Sequence, residues 1–265
     1  MMDEDALAEA YNRGLELEKA GDVAGAAAAY RQALAIDPDD HGGVGVRLAA
    51  MGQGAAPAQA PAAYVATLFD QHAEVFDGIL VDQLEYAVPM MARAMAQRRG
   101  LGPFDRMLDL GCGTGLAAEA FEDASSHRTG VDLAEGMIEV SDEKELFDDL
   151  YVADAVRFVA ETDENWDLIV ATDVLPYLGD VGPLFRGVAA RLTPGGAFFF
   201  STETLVETEV DDWIVNPHHR YAHRQSYIEA ALRQSGMALV EAEGIMVRRE
   251  EGASIPGGLM LATLA

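Results

Sequence analysis

Cysteine, lysine and long apolar runs are all scarce in this chain of 265 residues. Cys112 is its single cysteine, which excludes a disulfide framework and a zinc site built from a cysteine cluster, and which fits a reducing compartment. The acidic first residues lack the apolar core of a signal peptide, and no run of about 18 uncharged apolar residues occurs. The sequence therefore predicts a cytoplasmic protein without a transmembrane helix.

Basic residues are also scarce. The chain has 18 lysines and arginines against 45 acidic residues, a formal net charge of −27, and Lys19 and Lys144 are its only lysines. Such a chain lacks the positive field that attracts nucleic acid and the polybasic segments that attract anionic membranes. Because 50% of the residues are hydrophobic, the composition favours a folded core over disorder. We therefore expect neither nucleic acid nor membrane among its partners.

The chain divides into a helical first part and a larger second part. Residues 6–20 and 23–36 place apolar side chains at helical spacing, and Pro38 ends the second segment. An alanine- and proline-rich run that follows residue 54 is typical of a linker. The predicted units are a helical hairpin with a capping helix over 1–55, a linker and helical lid segment over 56–104, and a third domain over 105–265.

The hairpin resembles the tetratricopeptide repeat family over about one repeat. The small, large, aromatic and proline positions of the family are met by Gly14, Leu17, Ala26, Tyr30, Ala33 and Pro38. Ala10 and Arg13 stand where the family often has tryptophan and leucine. A single repeat cannot bury both faces, so we expect the hairpin to pack on the rest of the chain or on another subunit. A structural hairpin and one that binds a protein partner are equally good interpretations, and the oligomeric state stays open.

The second part alternates apolar strand segments with amphipathic helices, which is typical of a mainly parallel sheet covered on both faces. No helix separates the last two strand segments, so they are expected to pair antiparallel at one edge. The predicted fold class is α/β: a Rossmann-like, doubly wound, seven-stranded sheet with an antiparallel last strand, preceded by the N-terminal α-helical hairpin. The predicted strands are 105–111, 127–133, 150–154, 166–174, 197–203, 238–247 and 259–264.

A glycine-rich loop follows the first of these strands. Residues 109–115 read Asp-Leu-Gly-Cys-Gly-Thr-Gly, and the alternate glycines allow a tight turn and the close approach of a ligand to backbone N–H groups. Asp132, at the end of the next strand, is placed to accept hydrogen bonds from ribose hydroxyls. The loop is not the dinucleotide-binding G-x-G-x-x-G, because Leu116 stands at the third glycine position, nor is it a P-loop. Asp109 suits a ligand that carries an ammonium group as well as a ribose.

The motif DLGCGTG resembles the first motif of the class I S-adenosylmethionine-dependent methyltransferases, and the resemblance extends over about residues 64–264. It implies S-adenosyl-L-methionine as the cofactor and S-adenosyl-L-homocysteine as its product. The roles that it implies are methionine contact by Asp109, Gly111 and Gly113, ribose binding by Asp132, adenine contact by Leu133, Asp154 and Ala155, and lining of the methyl-donor pocket by Asp173 and Val174. Cys112, Gly115, Met137 and Tyr64 complete the implied set of cofactor-binding residues.

The segment that precedes the third domain, residues 64–77, is similar to the aromatic segment that folds as a lid over the cofactor in many small-molecule methyltransferases. Phe69, His72 and Phe76 fall on one helical face. We expect Phe69 and Phe76 to pack in the core and Tyr64 to touch the cofactor.

The insert after the fifth strand, residues 203–227, gathers basic and aromatic side chains in an otherwise acidic chain. It contains His218, His219, Arg220, Tyr221, His223 and Arg224. One hypothesis is a basic pocket for an acidic acceptor; another is catalysis, with His219 or His223 as general base and Tyr221 as a further candidate. The alternative is that the two arginines pair with nearby acids. No metal site is expected, because the two adjacent histidines point in opposite directions in an extended chain.

Three functions remain after these observations. The first is methyl transfer to a small-molecule acceptor, by in-line displacement at an already activated donor. The second is protein methylation with the hairpin recruiting the substrate, and the third is a non-catalytic scaffold that binds cofactor or peptide. Residues 172–178 read TDVLPYL and resemble the fourth motif of the same family. They lack the paired prolines that mark many amide and base N-methyltransferases, which weakens the case for a nucleic-acid substrate. The acceptor atom, whether oxygen, carbon or nitrogen, and the use of a general base stay open.

Overall fold

The computed structural model describes residues 3–205, 211–250 and 252–265, so part of the insert at 203–227 lies outside the described residues. Its N-terminal part consists of helices α1 (Glu4–Lys19), α2 (Val23–Ile36) and α3 (Val44–Ala50). Asp3 and Asp22 begin the first two helices, each accepting a hydrogen bond from the backbone N–H three residues further on. The N-terminal helical hairpin is thus confirmed, whereas its likeness to the tetratricopeptide repeat stays a prediction.

Gly14 allows α1 and α2 to pack closely. A Cβ at this position would lie 2.4 Å from Cε1 of Tyr30, so the ring rests directly on the α1 backbone. Tyr30 is fully buried, and its hydroxyl donates a hydrogen bond of 2.5 Å to Glu18 on α1. The hairpin is therefore held by an aromatic side chain that only a glycine can accommodate.

The segment between hairpin and sheet is helical but irregular. It contains α4 (Ala62–Asp70), a 3-10 turn (Ala73–Val75), a π-helical stretch (Gly78–Gln83) and α5 (Val88–Arg98). Such π-helical stretches occur often at functional sites.

The third part alternates strands and helices in chain order. Its elements are β1 (Phe104–Leu110), α6 (Leu116–Ala120), β2 (Ser125–Asp132), α7 (Glu135–Glu143), β3 (Asp149–Val152), α8 (Ala155–Glu161), β4 (Trp166–Ala171), α9 (Gly182–Arg191), β5 (Leu192–Thr204), β6 (Trp213–Val215), β7 (Tyr221–His223), α10 (Gln225–Gln234), β8 (Met237–Glu250) and β9 (Ala253–Leu264).

One sheet contains all nine of these strands. The parallel order β3-β2-β1-β4-β5 is continued by β9, which is antiparallel to β5 and is paired in turn with β8. This confirms the doubly wound fold with an antiparallel last strand. The structure adds two strands to the predicted seven, because the insert folds into the hairpin β6/β7, which pairs through β7 with the carboxyl end of β5.

Successive residues of the central strands bury opposite sides of the sheet. Leu108 and Phe198 pack on the side covered by α8, α9 and α10, whereas Met107 and Phe199 pack on the side covered by α5 and α6. Because both faces are covered, the carboxyl edge of the parallel strands is the part left for a ligand.

The N-terminal helices pack on the sheet insert. Val46 of α3 and Val65 of α4 share an apolar cluster with Val215 and Tyr221 of the β6/β7 hairpin. None of the described helices is long and apolar enough to cross a membrane.

Candidate functional site

A cleft opens at the carboxyl ends of β1, β2, β3 and β4. It holds about 940 Å³ of space, counting the part open to solvent, which is in the range of small-molecule and cofactor sites. The lid segment closes it from the other side through Phe69 and Phe76. Its wall contains ten of the cofactor-binding residues that the resemblance implies: Asp109, Gly111, Cys112, Gly113, Asp132, Leu133, Asp154, Ala155, Asp173 and Val174.

The glycine loop is held by backbone hydrogen bonds across the sheet. The N–H groups of Gly111 and Cys112 both donate to the carbonyl of Val131, at 2.7 and 3.0 Å. Gly111 has a φ of 66°, and a Cβ there would lie 2.6 Å from Cγ2 of Val174. The loop therefore reaches this conformation and this close contact only with glycine.

Replacing Gly111 by alanine is expected to destabilise the chain by more than the cost of the backbone conformation alone, which is about 1–2 kcal/mol. Gly52→Ala is the matched control, because Gly52 has the same φ of 66° with nothing within 4 Å of the added Cβ. Urea unfolding compares the two. Adding Val174→Ala to Gly111→Ala should recover part of the loss, and equal losses for the two glycine variants would contradict the contact.

Asp132 fixes the loop from the end of β2. Its Oδ2 accepts a hydrogen bond of 2.9 Å from the N–H of Gly113, and its Oδ1 accepts one of 2.9 Å from the N–H of Ala134. Burial raises the pKa of Asp132, although these backbone donors oppose the shift. Each carboxylate oxygen retains a lone pair for a ligand hydroxyl in the cleft.

Asp109 is the unsatisfied group of the cleft. Its side chain is 1% exposed, and its Oδ2 has no hydrogen-bond partner. Burial and the neighbouring charge of Asp132 raise the pKa of Asp109 well above its usual range. A carboxylate in this position needs either a proton or a cationic ligand.

Asp154 already has partners on both carboxylate oxygens. Oδ1 accepts from the N–H of Arg157 at 2.8 Å and so caps α8, while Oδ2 accepts from Nε2 of Gln59 at 2.7 Å. The sequence did not predict Gln59, which lines the cleft from the linker. An isolated glutamine in an alanine- and proline-rich run carries no signal of a partner 95 residues away.

The lid segment is fastened to the glycine loop and to α7. Asp77 accepts hydrogen bonds from Oγ1 of Thr114 and, at 2.6 Å, from Nζ of Lys144, and Asp70 accepts one of 2.9 Å from the N–H of Gly136. These bonds hold the lid over the cleft.

Phe69 and Phe76 of the lid pack against apolar clusters, as expected, and also face the cleft. Their ring centroids lie 5.8 Å apart, and the buried Tyr86 joins them in the lining of the cleft. Tyr64 does not line it, because its ring packs on Gly43, where a Cβ would be 2.6 Å away. The expected cofactor contact of Tyr64 is corrected accordingly.

Two further implied residues lie behind the cleft wall. Met137 is fully buried in a cluster with Ala73 and Ala134. Gly115 packs against the far side of the loop, where a Cβ would lie 3.2 Å from Ser141 Oγ. Both support the wall without lining it, which corrects their implied contact with the cofactor.

Asp173 lines the cleft and belongs to a buried network of charged side chains. The guanidinium of Arg220 donates to Asp173, to Glu203 at 2.7 Å and to the hydroxyl of Tyr177 at 2.7 Å. Arg248 donates to the same Oε1 of Glu203 at 2.7 Å. Burial raises the pKa of Asp173, and Arg220 offsets part of that rise. The two arginines therefore neutralise carboxylates rather than present charge to a ligand, as the pairing alternative for Arg220 predicts.

The three catalytic candidates lie away from the cleft. Tyr221 donates its hydroxyl to the carbonyl of Pro57 at 2.9 Å, and Nε2 of His219 lies 3.5 Å from Glu18 of α1. His223 is buried with Nε2 2.7 Å from the carbonyl oxygen of Leu178, and burial lowers its pKa to about 4. Their assignment is corrected: the insert folds as a hairpin that attaches the N-terminal part to the sheet.

The cleft is acidic. Its wall carries Asp109, Asp132, Asp154 and Asp173, while none of the described lining residues is lysine, arginine or histidine. The hypothesis of a basic pocket for an acidic acceptor therefore finds no support in the wall. Within the described part of the chain, no three histidine, cysteine or acidic side chains are grouped so as to hold a metal ion.

Comparison with known proteins agrees with this geometry. Residues 108–198 match the family model of a methyltransferase domain. The chain is 29% identical over 154 residues to the ubiquinone biosynthesis O-methyltransferase of Coxiella burnetii. That alignment covers 52% of this chain and 66% of the relative, slightly less than two thirds of its length.

Solved structures show the same fold. An S-adenosylmethionine-dependent methyltransferase of Clostridium acetobutylicum matches with a TM-score of 0.56 at 17% identity, over 75% of this chain and 99% of that one. The N-methyltransferase NodS of Bradyrhizobium japonicum, in complex with S-adenosyl-L-homocysteine, matches with the same TM-score and identity over 75% and 97%. The family model indicates a methyltransferase domain, hence an enzyme, over residues 108–198, and the solved structures show that its fold is the one found in S-adenosylmethionine-dependent methyltransferases.

The residues of the cleft fit S-adenosylmethionine, the cofactor that the resemblance implies. The unpaired buried oxygen of Asp109 suits a cation, and S-adenosylmethionine carries both an ammonium and a sulfonium. The glycine at 111 leaves backbone exposed where a side chain would fill the cleft. Asp132 stands at the ribose position of such folds, at the end of β2.

Proposed function

We propose that the chain transfers the methyl group of S-adenosylmethionine to an oxygen atom of a small, uncharged and largely apolar acceptor. The observation that carries this proposal is the division of the cleft into an acidic floor and an aromatic lid without a cationic side chain among its described lining. An acidic acceptor would find no cationic partner among the described lining residues. The name of the Coxiella burnetii relative, an O-methyltransferase, supports oxygen as the acceptor atom.

The chain's own residues contribute position and shielding. S-adenosylmethionine, when bound, supplies a methyl group already activated by its sulfonium. Asp109 and Asp132 hold the cationic and ribose parts, and the rings of Phe69, Phe76 and Tyr177 exclude water from the reacting centre.

Asp173 is the proton acceptor in this proposal. It lines the cleft at the end of β4, with the strained φ of 63° that is common at functional sites. Because burial raises its pKa, its carboxylate is a stronger base than an exposed aspartate. Arg220 fixes its orientation.

Methyl transfer to a panel of acceptors with one aromatic body tests the proposal. We expect O-methylated product from the hydroxyl form and none from the carboxylate form, measured by mass spectrometry with S-adenosylmethionine as donor. Asp173→Asn should lower the turnover number at least about 100-fold while the affinity for S-adenosylhomocysteine stays unchanged. Methylation of only the amine form of the panel, or undiminished turnover in the variant, would contradict the acceptor atom or the base.

A further inference from the structure

The linker crosses the cleft as a strap, residues 57–61. The carbonyl of Ala58 accepts hydrogen bonds of 2.9 Å from the N–H groups of Gly179 and Asp180. The N–H of Ala60 donates one of 2.8 Å to the backbone carbonyl of Tyr177. Together with the bond from Tyr221 to Pro57, these contacts fix the strap at both sides of Gln59. Gln59 therefore projects into the cleft from a rigid backbone.

The bond to Asp154 gives the Gln59 amide one orientation. Nε2 donates to Oδ2 of Asp154 at 2.7 Å. If the amide were turned over, its carbonyl oxygen would face the carboxylate, and two acceptors would oppose each other. With one N–H used on Asp154, Gln59 has one acceptor, Oε1, and one further N–H donor for a ligand.

We propose that Gln59, oriented by Asp154, reads the Watson–Crick edge of the cofactor's adenine and discriminates it from hypoxanthine. Adenine offers an amino donor beside the N1 acceptor, which the acceptor and donor of Gln59 complement. Hypoxanthine offers an oxygen acceptor beside an N1–H donor, so both contacts with the fixed amide become repulsive. The proposal rests on the proposed function, since it takes S-adenosylmethionine to lie with its adenine at the Asp154 end of the cleft.

Asp154 positions the glutamine amide in this arrangement. Its Oδ1 accepts from Arg157 and its Oδ2 from Gln59, and each oxygen retains a lone pair toward the cleft. The discriminating group is therefore supplied by the linker, outside the sheet and its loops.

Calorimetry of the full chain with two nucleosides tests the proposal. The probes are S-adenosylhomocysteine and S-inosylhomocysteine, which differ only in the base. We expect the natural chain to bind the adenine form at least about tenfold more tightly, and Gln59→Ala to lower that affinity about tenfold while raising the affinity for the inosine form, because the repulsive contacts are removed. Gln234→Ala, an exposed glutamine at the end of α10, is the matched control and should change neither affinity.

A second variant isolates the orientation of the amide. Asp154→Asn keeps a good cap for α8 but lets the Gln59 amide turn, so the preference for adenine should fall while both nucleosides still bind. Undiminished preference in Gln59→Ala, or an equal loss of both affinities, would overturn the role of Gln59 and leave the proposed function standing. Failure of the natural chain to bind S-adenosylhomocysteine would instead overturn the proposed function itself.

Discussion

Asp109→Asn is expected to lower the affinity for S-adenosylmethionine by at least about 100-fold, because it removes the charge that pairs with the cofactor's cation in a buried site. The same change should leave the unliganded chain as stable as before or more stable. The reason is that the free chain holds this carboxyl buried with an unpaired oxygen, where an ionised carboxylate costs more free energy than a neutral amide of the same shape. The two effects therefore have opposite signs.

Calorimetry and thermal unfolding measure the two effects on the same sample. Asp105→Asn is the matched control, since Asp105 lies on the same strand with an exposed side chain. It should change neither the affinity nor the melting temperature. An Asp109 variant that loses stability without ligand would contradict the unpaired state of this carboxyl.

Asp109 should also make both properties depend on pH. Its pKa is raised by burial and by Asp132, so its protonated form stabilises the unliganded chain below the ordinary aspartate pKa, and this contribution disappears as the pH rises through the raised value. Cofactor binding requires the ionised form, so affinity should increase with pH over the same interval. Asp109→Asn should flatten both profiles, and an unchanged affinity profile in the variant would assign the titration to another group.

The parts of the site that sequence reasoning found are local. Asp109, Gly111 and Asp132 belong to one strand–loop–helix–strand unit, in which short-range constraints on glycine and the end of the next strand fix their positions. Spacing therefore indicated that they lie together, and the resemblance to methyltransferases implied their roles. The alternation of strands and helices indicated a mainly parallel, doubly wound sheet for the same reason.

The parts that were missed depend on contacts between distant segments. Gln59 meets Asp154 across 95 residues, and Arg220 meets Asp173 across 47. The basic cluster around Arg220 was visible in the sequence, but the sequence did not show which part of the molecule its side chains would contact. Because the insert folds as β6/β7, His219 contacts the N-terminal helices and Tyr221 contacts the linker. The residues that the sequence suggested as catalytic therefore have structural contacts instead.

Arg220→Met is expected to destabilise the chain by about 3–5 kcal/mol, the usual cost of removing one partner from a buried ion pair. Methionine keeps most of the side-chain volume, so the loss measures charge rather than packing. Asp173 would lose its arginine partner, whereas Glu203 would keep Arg248 at 2.7 Å and Asn216 at 2.7 Å. Urea unfolding gives the free energy, and Arg233→Met is the control, because Arg233 is 66% exposed and its pair with Glu229 should contribute less than about 1 kcal/mol.

A second substitution distinguishes which carboxylate is left unpaired. Combining Arg220→Met with Asp173→Asn removes the orphaned charge and should recover most of the lost stability, while Arg220→Met with Glu203→Gln should recover less, since it also removes the partner of Arg248.

Although burial alone would raise the pKa of Glu203, Arg220 and Arg248 together lower it. Its stabilising contribution is therefore present above the ordinary glutamate pKa and is lost as the pH falls through the lowered value. Without Arg220 that loss should begin at a higher pH, and an unchanged acid limb of the stability curve would show that Arg248 alone sets the charge state of Glu203.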